Sequence, residues 1–265
     1  MTDVYTCEPG PLPLLISVPH AGTLIPDAVR AGMSETVNSL PDTDWFVDRL
    51  YDFAPRMGIG MIVGRYSRYV IDLNRSPAGE KLYPGRAETE LCPTTLFDGN
   101  PLYPCAQFPG AREIERRRRL YWQPYHDRLR RELDHLRRRH DKVLLWDAHS
   151  IRSQVPRLFE GILPDLNLGT AGGNSCDPGL AAAVYDSARS NGNFSATVDG
   201  RFQGGYITRH YGAPADGVHA LQLEIAQSCY LNENESQPDF DRERAQPLVN
   251  LLQRLLAVAA GLVRL

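Results

Sequence analysis

Residues Lys142–Ser150 read KVLLWDAHS. Val143, Leu144, Leu145 and Trp146 form an apolar run too short for a helix and rich in strand formers, which predicts a buried strand. The run stops at Asp147, Ala148, His149 and Ser150. Open α/β sheets place ligand chemistry at the C-terminal edges of such strands. Leu14–Val18 ends in the same way, in Pro19-His20-Ala21-Gly22. Two buried strands that each deliver a histidine at one end point to a shared site. Two unrelated turn histidines are the plainer alternative, since histidine often has a structural or pH-linked role.

The chain around this strand has 265 residues, the size of one α/β domain covering 1–265. At 42% hydrophobic residues it can fill a sizeable core. A net charge of −3 argues against nucleic acid or an anionic membrane as partner. No apolar run looks long enough to span a bilayer, and MTDVYTCEPG at the N-terminus has neither basic nor apolar signal character, so a cytoplasmic location is expected. Cys7, Cys92, Cys105, Cys176 and Cys229 are odd in number and show no C-x-x-C spacing. That fits a reducing compartment and leaves His and carboxylate side chains to hold any metal.

N-terminal to the central strand, Thr23 to Pro41 reads as a loop with a short helical piece. A helix is expected from Trp45, with Asp42, Thr43 and Asp44 as cap candidates. Gly60–Val63 predicts a strand. Tyr69-Val70-Ile71 is a third strand-like run, stopping at Asp72-Leu73-Asn74-Arg75. Asn and Arg together can hold a carboxylate; the alternative is an Asp72–Arg75 surface turn. Residues 76–110, rich in Pro, Gly and Thr, predict an irregular segment that covers or lines a site.

Arg112–Arg139 predicts a long basic helix with one apolar face, kinked at Pro124. Its arginines alternate with Glu115, Asp127, Glu132 and Asp134, so a solvated face is preferred to a nucleic-acid contact. Beyond the central strand, Phe159–Leu168 suggests a strand or turn. Residues 169–174 are glycine-rich but lack the lysine and spacing of a phosphate loop. Asp177-Pro178 starts a helix to about Ser190, and Phe194–Val198 predicts a strand. Residues 199–212 mix glycines with Arg201, Arg209 and His210. Val218–Ile225 alternates as a strand, with His219 on one side and Glu224 on the other. Asp239–Leu262 predicts a closing helix.

Two histidines, carboxylates and arginines at strand ends suggest hydrolysis. His, His and a carboxylate with one open position is a common zinc set. Zinc makes a water nucleophilic near neutral pH and polarises a carbonyl. A separate carboxylate can then move the proton to a leaving nitrogen. Asp147, two residues before His149, suits a partner that holds the ligand ring. Arginines imply a small anionic substrate.

The segments SVPHAG (17–22), DTDWFVDRLY (42–51), RYSRYVIDLNRSP (65–77), WDAHS (146–150) and TVDGRFQGGYITRHYG with GVHALQLEIAQ (197–227) resemble the N-formylglutamate deformylase, or N-formylglutamate amidohydrolase, family. The resemblance runs from about residue 14 to the last strand. It implies a single-domain α/β fold of the phosphorylase/hydrolase-like, zinc exopeptidase-like kind, with a mixed, mostly parallel sheet flanked by helices. The implied reaction is hydrolysis of N-formyl-L-glutamate to formate and L-glutamate, the last step of one histidine-degradation route. Carried over residue by residue, it makes His20 and His149 ligands of one Zn²⁺ or another divalent transition metal. The H-x-x-E of related carboxypeptidases is absent, with Thr at 23, so Asp44 is the expected third ligand in place of a cap. Glu224 becomes the general base, Arg68 or Arg75 an oxyanion donor, and Asn74, Arg75, Arg201 and Arg209 the substrate-carboxylate ligands. Asp147 supports His149. His219 is assigned a similar supporting role, or a structural one, because alternation turns it away from Glu224 unless a bulge intervenes.

Four alternatives stand beside this one. They are the same mechanism on another N-acyl acidic amino acid, a metal carboxypeptidase, a non-catalytic protein binding nucleic acid through the basic helix, and a metal-free binder of acidic amino acids. The oligomeric state is left open.

Overall fold

The structure, a computed structural model, describes residues 3–82, 85, 87–104, 107–190, 192–233, 235 and 238–264. Cys105 lies outside the described residues. The strands are β1 (Tyr5–Glu8), β2 (Leu14–Val18), β3 (Gly60–Gly64), β4 (Val143–Ile151), β5 (Leu166–Gly169), β6 (Ala196–Val198) and β7 (Val218–Ala226). They form one seven-stranded sheet in the order β1-β3-β2-β4-β7-β5-β6. The central four are parallel, β1 and β5 run antiparallel to their neighbours β3 and β7, and β6 is parallel to β5. Parallel strands covered on both faces are expected to be apolar throughout. β2, β4 and nearly all of β7 are accordingly buried.

Alternation divides these strands between two cores. Leu14, Ile16, Leu144, Trp146, Leu221 and Leu223 pack in one cluster with residues of α5 (Pro178–Arg189) and α7 (Arg242–Val263). Leu15, Leu145 and Ala220 pack on the other side with residues of α4 (Gln123–Arg137) and α6 (Tyr206–Tyr211). Asp177 caps α5 by accepting from the Gly179 and Leu180 amides. By length and composition α7 is apolar enough to cross a membrane, unlike any run expected from the sequence. Here its stripe of Leu248, Leu251, Leu252, Leu255 and Leu256 is buried in the core.

Three expectations change. β4 does not stop at Trp146: it continues to Ile151, so Asp147 and His149 are strand residues. Tyr69–Ile71 is buried but forms no strand; Val70 N–H closes a turn onto Ser67 O at 2.9 Å. The free edge of β3 is instead taken by β1, a four-residue strand in the N-terminal segment. The helix expected from Trp45 is cut to one turn, and Asp44 does not cap it, in keeping with its reading as a ligand candidate. α2 spans only Val47–Leu50, and the residue before it, Phe46, has φ 57° and no capping side-chain bond.

The basic segment is continuous: α3 (Ala111–Arg117), a π turn at Arg118–Trp122, then α4. Pro124 has no N–H for the usual bond four residues back, and the wider turn immediately before α4 accommodates the loss. Several of its arginines pair within the segment, as Arg116 does with Glu113, Arg118 with Glu115 and Arg128 with Glu132.

Candidate active site

The sheet register assembles the site. β4 against β7 sets His149 beside Glu224 and Asp147 beside Gln222. β2 against β4 sets Ser17 beside Asp147. All five share the face that carries Leu15, Leu145 and Ala220, because strand side chains alternate. His20 follows β2 in the loop, and its carbonyl accepts the Asp44 amide at 3.2 Å, which brings that loop alongside.

His20, Asp44 and His149 are all buried, and one ligand atom from each lies within 4.8 Å of the others. A carboxylate lies close to the Nε2 atom of each ring, hydrogen-bonded in the case of His20. Asp72 Oδ1 is 2.8 Å from His20 Nε2, and Asp147 Oδ2 is 3.1 Å from His149 Nε2. The Nδ1 atoms face Asp44 Oδ2, at 3.7 Å for His20 and 3.0 Å for His149. Among the described residues, His20 Nδ1 has no hydrogen-bond partner. A buried ring nitrogen left so is unfavourable and points to something that binds it. Histidine nitrogens with carboxylate oxygens suit a divalent transition metal, and carboxylate-backed imidazoles are the usual form of such ligands. The residues present therefore fit a metal.

Arg68 ties the carboxylates together, with Nη1 3.3 Å from Asp44 and Nη2 3.1 Å from Asp72. Burial pushes the Asp44 and Asp72 carboxyls upward. His149, His20 and Arg68 outweigh it at Asp44, and His20, Arg75 and Arg68 at Asp72, so both carboxyls lie below the ordinary range. For His149 burial acts downward, but Asp147 and Asp44 raise it well above an ordinary histidine. Burial raises Glu224 to about 8, against the opposing charge of His149.

In front of the cluster lies a cleft lined by His20, Arg68, Asn74, Arg75, His149, Arg201, Gln222 and Glu224. Phe97, Leu158 and Phe202, from three separate loops, form its apolar wall. Leu82, Glu88 and Thr89 come from the irregular 76–110 segment, which lines the cleft as expected. Arg75 is held by Thr89 O at 2.8 Å and Arg201 by Leu158 O at 2.6 Å. Asn74 Oδ1 accepts the Ile207 amide at 2.7 Å, which turns its Nδ2 toward Asp147, at 3.3 Å, and His149, at 3.0 Å.

Two expected site residues are placed elsewhere. Arg209 does not line the cleft: helical spacing in α6 turns Ile207, Thr208 and Tyr211 inward and leaves Arg209 exposed, with Nε donating to Gly204 O at 2.8 Å. His219 does not support the cluster either. No bulge interrupts β7, so His219 lies on the opposite face, where Nδ1 accepts the Asp177 amide at 3.1 Å. The sequence reading missed Asp72 as the partner of His20, Gln222 beside Glu224, and Ser17 and Thr208 on Asp147. Parity is the signal that could have found Gln222, two residues before Glu224 on the same face.

Fold and site together define an α/β domain whose cleft opens where its parallel strands deliver a buried His–Asp–His cluster. The sequence profile of the N-formylglutamate amidohydrolase family matches residues 12–231, and the chain belongs to that family. It is 50% identical over 264 residues to an N-formylglutamate deformylase of Pseudomonas putida, covering 98% of each chain. It is 47% identical over 260 residues to one of Pseudomonas aeruginosa, covering 97% of each. The crystal structure of an N-formylglutamate amidohydrolase from Ralstonia eutropha superposes with a TM-score of 0.80 at 26% identity, over 98% of both chains. A gene product of Agrobacterium tumefaciens shares the fold, with a TM-score of 0.73 at 18% identity over 98% of this chain and 94% of its own.

Proposed function

We propose that this chain hydrolyses N-formyl-L-glutamate to formate and L-glutamate with one divalent transition metal, zinc by donor type, held by His20, Asp44 and His149. The observation that carries the reading is the buried cluster on the floor of an arginine-bearing cleft that also presents Glu224. The named relatives, matched over nearly their full length, support the substrate.

A divalent ion bound there supplies Lewis acidity, making water acidic near neutral pH and polarising a carbonyl. The chain's own residues do the rest. Asp72 holds the His20 ring through Nε2 and turns its Nδ1 into the cluster, while Asp44, Asp147 and Asn74 hold the His149 ring in place. Glu224 takes a proton from the attacking water as its oxygen bonds to the formyl carbon. The carbon–nitrogen bond then breaks, and Glu224 passes that proton to the departing amine. Burial raises its pKa above that of an ordinary glutamate, which suits a group that takes a proton and returns it. Arg68 lines the cleft and supplies positive charge beside the developing oxyanion. Arg75 and Arg201 meet the substrate's two carboxylates. Phe97, Leu158 and Phe202 exclude bulk water.

The test compares turnover of N-formyl-L-glutamate with that of N-acetyl-L-glutamate and N-acetyl-L-aspartate. Rapid turnover of the formyl compound alone is expected. Preference for an acetyl compound would replace the proposed substrate.

A further inference from the structure

We propose that Gln222 is the positioning residue for Glu224, locked in one orientation by the backbone of Gly205. The inference rests on the reading of Glu224 as the base. Gln222 and Glu224 lie two apart on β7, on the same face, and both line the cleft. Gln222 is 3% exposed, so its carboxamide cannot rely on solvent for partners. The Gly205 amide lies 2.7 Å from Gln222 Oε1.

A backbone N–H only donates, so the carboxamide atom facing it must be the oxygen. That excludes the flipped amide, an ambiguity ordinarily open for a glutamine. The NH₂ group is thereby aimed at Glu224, with Nε2 3.3 Å from Oε2. Among the described residues this is the one hydrogen bond found to the Glu224 side chain. Without it, a flexible carboxyl would be placed by packing alone.

The clip depends on close approach. A Cβ on Gly205 would fall 2.4 Å from Asn74 Nδ2. The start of α6 therefore fits between two carboxamides and orients both. Ile207 N–H takes the oxygen of Asn74 as Gly205 N–H takes that of Gln222. One turn thus aims one NH₂ group at the His149–Asp147 pair and the other at Glu224. A glutamine retained only for packing has no reason to be aimed.

A double-mutant cycle tests this, with kcat, KM and metal content for the wild type, Gln222→Met, Glu224→Gln and the pair. Crystal structures of the wild type and Gln222→Met accompany it. Methionine has similar length and neither amide donor nor amide acceptor. Expected for Gln222→Met are unchanged metal content, KM within about threefold, and kcat reduced about tenfold or more. In the Glu224→Gln background the same change should add less than about twofold, because Gln222 acts through Glu224. The Glu224 carboxyl should leave its wild-type position in the Gln222→Met crystal. Equal losses in both backgrounds, or wild-type kcat with Glu224 in place, would overturn the proposal. Should Gln222→Met not fold, Gln222→Glu keeps an acceptor for Gly205 and replaces the donor by a carboxylate, with the same expected loss. A wild type inactive on N-formyl-L-glutamate would count against the proposed reaction, while the crystallographic position of Glu224 still decides this inference.

Discussion

His20 and His149 each bring Nε2 close to a carboxylate and turn Nδ1 toward Asp44. Removing the grip on one ring should weaken the metal without deleting a ligand. Asp72→Asn is expected to lower metal affinity about 10–100-fold, measured by competition with a chelator. Unchanged affinity would mean that His20 needs no such support. Glu224→Gln is expected to keep the metal and lose turnover; near-normal kcat would place the base elsewhere. The two histidines were legible because apolar runs lead straight to them, and Glu224 because a carboxylate on an otherwise apolar strand needs a task. Asp72 was not, since its partner is 52 residues away and no local spacing encodes that contact. Arg209 misled because a cation among glycines looks like a ligand group until helical phase turns it outward.

Elements explain what single residues cannot. The start of α6 holds Asn74 and Gln222 only because residue 205 lacks a side chain. Its φ of −84° suits any residue, so space and not backbone conformation excludes one there. Gly205→Ala should displace Asn74 and destabilise the fold by about 1–3 kcal/mol, with reduced kcat. A denaturation curve and a kinetic assay check this, and a variant matching wild type in both would show that the turn relaxes freely. Most strands were readable from their apolar runs, and the cap of α5 from Asp177-Pro178. Tyr69–Ile71 carries the composition of a strand but has no free edge to join, which only the pairing of β1 with β3 decides. The short β1 has a burial pattern too weak to announce itself. Pro124 signals a kink, yet whether the helix breaks or widens depends on packing beyond the local sequence.

The molecule as a whole ties the site to its core through His126. This buried ring donates from Nε2 to Leu73 O at 2.8 Å and meets the Tyr211 hydroxyl at Nδ1, at 3.0 Å. Leu73 joins Asp72 to Asn74, so the link runs directly to the cluster. Burial lowers the His126 pKa to about 3. The unfolded chain, near 6.5, binds the proton more readily, so acid favours unfolding. This contribution to stability is complete above about pH 6.5 and falls as the pH drops toward about 3, by up to about 1.4 kcal/mol per pH unit. Urea midpoints between pH 7 and 5 should therefore fall more steeply in the wild type than in His126→Gln, which keeps a donor for Leu73. Parallel slopes would assign the acid sensitivity to other groups. A metal at the proposed site would act in the opposite direction: a ligand bound only by the folded state raises Tm, so chelation should lower it.

The most direct measurement is formate release from N-formyl-L-glutamate by the purified protein, before chelation, after it, and after adding back one equivalent of zinc. The account predicts turnover, its loss on chelation, and recovery in the wild type but not in His149→Ala. Full turnover by the thoroughly chelated protein would contradict it.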